Sequence, residues 1–210
     1  MGSEMCIRDR ITVSPVDLLK YKSLRTISFA VAAIVFSKRY VKFGPLILID
    51  NLGVNIFVNQ IVMALAECIG TPLSLNYVQK LPRKMVGYVS FSVSIAFFAI
   101  VYLVQPPSDC NFCVEGILEL SLIFILRIVT TFYYPFMSLT VTELFPLRVR
   151  SMGFGISGAF GATAASTSQF LLLSLRHTVV DPFLFLIGIC LLGVLGVCMV
   201  PETVGKPLKD

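Results

Sequence analysis

The sequence predicts an all-α membrane protein with six spanning helices, and three observations lead there. Of its 210 residues, 56% are hydrophobic and 14% charged, with a mean hydropathy of +0.87, whereas a soluble domain carries about a quarter charged residues. The apolar residues fall into six runs, roughly 26–46, 54–73, 85–104, 117–139, 151–174 and 180–200. Each is long enough to cross about 30 Å of hydrocarbon as a helix rising about 1.5 Å per residue. The basic residues then alternate between the connections: twelve of the seventeen fall at one set of ends and Arg176 alone at the other. Because Lys and Arg accumulate on the cytoplasmic side, both termini are expected to be cytoplasmic. The net charge of +5 is accounted for by this bias and needs no nucleic acid as a partner.

Residues 1–10, "MGSEMCIRDR", have neither the apolar centre of a signal peptide nor a pattern that continues into residues 11–25. They are expected to be a non-native leader. Residues 11–25 form a cytoplasmic approach segment, residues 26–200 the transmembrane domain and residues 201–210 a cytoplasmic tail. The approach segment reads as the middle of a larger protein.

The first run carries Lys38, Arg39 and Lys42, the second Glu67 and the fourth Arg127, while the third and sixth carry no charge. A charge at the middle of a bilayer helix costs about 2.5–3.5 kcal/mol on insertion scales, so these side chains are expected to face protein or a water-filled cavity. Lys38 and Lys42 stand four apart and share a helix face. They form either a basic wall or a rim that snorkels to headgroups. Glu67 and Arg127 are either a structural ion pair that keeps the bundle closed or substrate- and proton-coupled groups. Tyr40 and Phe43 in the first run, and Phe132, Tyr133 and Tyr134 in the fourth, can stack on a flat solute or simply fill the interior. Pro72 and Pro135 fall within runs without ending them, since neighbouring groups can satisfy the freed carbonyls.

The fifth run places Ser151, Gly155, Ala159, Ala162 and Ser166 on one stripe, which suits close helix packing first and solute contact second. Cys110 and Cys113 share an external loop, "SDCNFC", as free thiols or a disulfide. The loop offers no further ligands for zinc. Cys68, Cys190 and Cys198 lie in spans as small apolar residues, and His177 is expected at a solvated rim. No phosphate loop, nucleophile elbow or His-rich helix is present, so the sequence gives no sign of an enzyme or a cofactor.

Four segments carry a family resemblance: "SPVDLLKYKSLRTI", "GVNIFVNQ", "TELFPLRVRSMGFG" and "PETVGKPLKD". In order and with six spans between them, they resemble the second half of a major facilitator superfamily transporter, closest to the organic cation and anion transporter branch. The resemblance implies a six-helix half of a twelve-helix bundle, helices seven to twelve, with an N-terminal six-helix half as its missing partner. It implies alternating-access transport of a small organic solute across a lipid bilayer. Lys38, Arg39, Tyr40, Lys42, Phe43, Glu67, Arg127, Tyr133 and Tyr134 would then line the solute site. Arg83, Lys84, Glu143, Arg148, Arg150 and Glu202 would form a cytoplasmic gate, with Glu143 paired to an arginine of its own loop or of the missing half.

The loop "VQKLPRK" keeps the family's basic pair as Arg83 and Lys84 but departs from its pattern at Gln79 and Pro82. Alanine at 162, near which some carriers of the branch place an arginine or an acid, leaves the surplus of Lys38, Arg39, Lys42 and Arg127 over Glu67 to set the expectation of an anionic or zwitterionic solute. A scaffold of the same fold that no longer transports, or a carrier of sugars and other neutral solutes, is the alternative.

Overall fold

A computed structural model of the chain describes residues 22–48, 56–78, 80–104, 114–145, 149–175 and 181–200. They form six helices: α1 (Lys22–Leu48), α2 (Ile56–Tyr77), α3 (Arg83–Val104), α4 (Val114–Leu144), α5 (Arg150–Leu175) and α6 (Pro182–Met199). Each predicted run has its helix, and most helices extend past the apolar stretch by a turn or less. Pro45, Pro72 and Pro135 all lie inside helices. Among the described residues, three segments are long and apolar enough to cross a membrane by themselves: Arg83–Leu103, Ser121–Leu144 and Pro182–Met199.

Helix α1 packs on α5 and α6 and touches α4, while α4 packs on α2 and α3, and α3 closes back on α6. Phe91, Phe98, Phe136, Leu172 and Leu186 are sealed inside this arrangement. Lipid tails are as apolar as leucine, so burial alone does not drive such helices together; close approach of backbones does. Gly193 and Gly196 of α6 make the approach: an added Cβ would stand 2.5 Å from the Phe91 ring and 2.8 Å from Ile34 Cγ1. The opposite side of α6 leaves Leu184, Leu191 and Leu195 exposed, and α3 likewise exposes Val89, Ile100 and Leu103.

Helix α5 corrects an expectation. Its packing stripe is Gly153, Ser157, Gly161, Ala164 and Ser168, all buried, with Gly161 so close that a Cβ would lie 2.8 Å from Val35 Cγ1. Ser151, Gly155, Ala159, Ala162 and Ser166 are exposed on the other side. Small residues recur at helical spacing on both faces of α5, so periodicity could not choose between them; the position of α1 does.

The connection from α2 to α3 is a tight turn in which the amides of Lys80 and Leu81 both donate to the Tyr77 carbonyl, at 3.0 and 3.1 Å. Pro82 precedes α3, where a missing N–H costs nothing.

Candidate functional site

The charged residues of α1, α2 and α4 converge. Glu67 Oε1 accepts from Lys42 Nζ at 3.0 Å and from Arg127 Nη2 at 2.6 Å. Arg127 Nη1 donates to the main-chain carbonyl of Lys42 at 2.5 Å. One guanidinium therefore ties α4 to both α1 and α2, a task that its planar fork of donors suits better than a lysine would. The cluster is closed at Arg127, 11% exposed, and open at Glu67, 36% exposed. A cavity of about 10 Å³ beside Lys42, Arg127 and Thr130 has room for one water. Two basic groups against one acid leave the cluster with a surplus positive charge.

Lys38 occupies a different setting. It is 5% exposed, its ammonium donates to Ser90 Oγ of α3 at 3.0 Å, and it lies 4.6 Å from the centre of the Tyr133 ring of α4. Phe91 meets that ring edge-on at 5.9 Å. No carboxylate of the described residues pairs with it. Lys38 thus neither snorkels to a rim nor shares the opening of Lys42, although both point from the same side of α1. Ser90, with Ser94 a turn later donating back to its carbonyl at 2.8 Å, is the residue that sequence reasoning missed. The available signal was a pair of serines at i and i+4 in a span with no charge.

Arg39 lies 5.7 Å from the ring of Tyr134, which is half exposed, and beside Gly161 of α5. Phe43 is 5.9 Å from the Lys42 ammonium. Tyr40 is buried, its hydroxyl 3.0 Å from Thr167 Oγ1 and its ring against Phe36 and Phe185. The structure therefore brings Arg39, Lys42, Phe43, Glu67 and Tyr134 to partly open positions on α1, α2 and α4, with Arg127 at the closed side of the cluster. It places Lys38, Tyr40 and Tyr133 behind them as support.

At the end of the bundle where α2 turns into α3, Arg83 and Glu143 form an ion pair. Glu143 was expected to pair with an arginine of its own loop or of the missing half; it pairs with the first residue of α3, because α3 and α4 pack antiparallel and bring those ends together. Each charge sits where its own helix dipole disfavours it, a cation at an N-terminus and an anion near a C-terminus. The pair is held by mutual attraction against both dipoles. Lys84 donates to the Cys198 carbonyl at 3.2 Å, the favourable case of a cation at a helix C-terminus. Arg150 buries Nε and Nη2 with no hydrogen-bond partner among the described residues. Arg148, Glu202, Cys110, Cys113 and His177 lie outside the described residues. The described residues contain no group of three or more His, Cys, Asp or Glu able to hold a metal.

Residues 43–210 match the family described as Sugar (and other) transporter. The chain is 23% identical over 198 residues to organic cation/carnitine transporter 2 of Rattus norvegicus and of Homo sapiens, an alignment covering 92% of this chain and 34% of each relative. It is 25% identical over 201 residues to the steroid transmembrane transporter SLC22A24 of Equus caballus, covering 94% of this chain and 35% of the relative. The chain thus spans about a third of the length of these relatives.

Proposed function

Because this chain belongs to the sugar (and other) transporter family of the major facilitator superfamily, we propose that its six helices are one half of a twelve-helix carrier for small organic anions or zwitterions. Two such halves enclose a site near the membrane midplane and rock about it. In this reading α1, α2 and α4 form one wall of the site, the other half supplies the facing wall, and both termini of the chain lie in the cytoplasm of a cell whose plasma membrane holds the carrier.

The observation that carries the proposal is the Lys42–Glu67–Arg127 cluster, open on the Glu67 side, with Arg39 about a turn before Lys42 on α1 and against the Tyr134 ring of α4. Its surplus positive charge, in a medium of low dielectric, favours an anion. An incoming carboxylate competes with Glu67 for Lys42 and Arg127. Binding then weakens the bond of α2 to α1 and α4, which ties occupancy to a change in helix packing and makes the solute bias a conformational equilibrium. Tyr134 and Phe43 offer ring faces for the apolar part of the solute. The Arg83–Glu143 pair, working against both helix dipoles, is suited to a latch made in one state and broken in the other. The relatives are named for organic cations, carnitine and steroids, which supports small organic solutes as the class and leaves the charge preference to the site.

The test is uptake of a matched anion and cation by the whole polypeptide, with Arg127→Ala and Glu67→Ala alongside. Saturable anion uptake abolished by Arg127→Ala is expected. Cation uptake that survives Arg127→Ala and disappears with Glu67→Ala would sink the anion preference.

A further inference from the structure

We propose that a groove between α2, α3 and α4 holds an acyl chain of an anionic phospholipid whose headgroup is met by Lys80. The groove encloses about 310 Å³, walled by Leu73 of α2, Leu81, Met85 and Val89 around the start of α3, and Val129 and Phe132 of α4. Its one polar residue among those described, Ser90, already accepts the Lys38 ammonium, so the described wall offers a ligand an apolar surface. Leu73, Met85 and Val89 are exposed, which places the mouth of the groove on the outer surface of the bundle. In a bilayer that surface meets acyl chains.

An apolar groove alone would accept any tail. The charge at its end makes the selection. The groove begins at the α2–α3 turn, the end of the bundle where a headgroup lies, and Lys80 immediately precedes Leu81 of its wall. Arg83 is engaged by Glu143 and Lys84 by the Cys198 carbonyl. Lys80 is exposed and has no ion-pair partner among the described residues. A lysine at a membrane surface attracts an anionic headgroup by about 1 kcal/mol, which is about fivefold in occupancy. The tail fixes the position of the lipid and Lys80 fixes its charge, independently of which solute the protein carries.

The chain contains no tryptophan, so a single introduced one reports locally. The full chain carrying Met85→Trp at the mouth of the groove, or Leu103→Trp on the lipid-exposed far end of α3, is reconstituted in bilayers with a small fraction of bromine-labelled phosphatidylglycerol or phosphatidylcholine. Bromine quenches tryptophan on contact. Quenching of Met85→Trp is expected to favour phosphatidylglycerol by about fivefold, to lose that preference with Lys80→Gln, and to show none for Leu103→Trp. Equal quenching of Met85→Trp by the two lipids, a preference untouched by Lys80→Gln, or no quenching by either because a protein surface covers the groove, would each overturn the site.

Discussion

Arg127 and Lys42 are joined twice: the guanidinium donates to the Lys42 main-chain carbonyl at 2.5 Å, and both side chains end on the same Glu67 oxygen. The first bond does not need Glu67. Loss of the acid should therefore loosen α2 more than it loosens α4 from α1.

Glu67→Gln and Arg127→Gln should not be equivalent. Glu67 is partly open to solvent, so its loss is expected to cost about 1–2 kcal/mol. Arg127→Gln removes the bond to Lys42 as well and should cost about 3 kcal/mol. In thermal unfolding of the reconstituted protein, a double-mutant cycle should return a coupling of about 1–3 kcal/mol. Additive losses would show that the two side chains do not act together.

Lys38 has a hydroxyl and a ring for company but no acid among the described residues. Replacing a buried charge with an apolar side chain of similar length is often neutral or stabilising, so Lys38→Met should leave the unfolding temperature unchanged or raise it. Ser90→Ala keeps the ammonium and removes its acceptor, and should lower stability by about 1–3 kcal/mol. The reverse order of the two variants would contradict the burial of Lys38.

Gly161 and Gly155 are both glycines of α5 with opposite surroundings. Gly161→Ala would drive a methyl against Val35 and is expected to cost about 1–3 kcal/mol. Gly155→Ala meets nothing within 4 Å among the described residues and should gain up to about 1 kcal/mol from helix propensity. Unfolding temperatures that fall equally would place α1 elsewhere.

The Arg83–Glu143 latch is tested by exchange. Arg83→Glu or Glu143→Arg alone sets like charges together and should reduce the uptake of the whole polypeptide at least tenfold. The double exchange restores attraction and aligns both charges with their helix dipoles, so it should bind the ends more firmly than the original. Recovery of the closed ends with slowed turnover is expected, measured by cross-linking between the two positions together with uptake; double exchange that leaves cross-linking as low as in the single variants would remove the pair from any gate.

The sequence by itself determined the helices, because a run of apolar residues in a bilayer has to satisfy its own backbone and only a helix does so within one segment. It also marked Lys38, Arg39, Lys42, Glu67 and Arg127 as residues expected to face protein or a water-filled cavity, since a charge against lipid is costly, while leaving a snorkelling rim open for Lys38 and Lys42. What it could not decide was which inward charges meet. Lys38 and Lys42 are equivalent along α1, yet one reaches a serine of α3 and the other an acid of α2, because the neighbours at those two levels differ. The same holds for the two small-residue stripes of α5 and for the partner of Glu143. Local pattern limits a side chain to a face of its helix; only the packing of other helices on that face gives it a partner, and those contacts join residues that stand far apart in the chain.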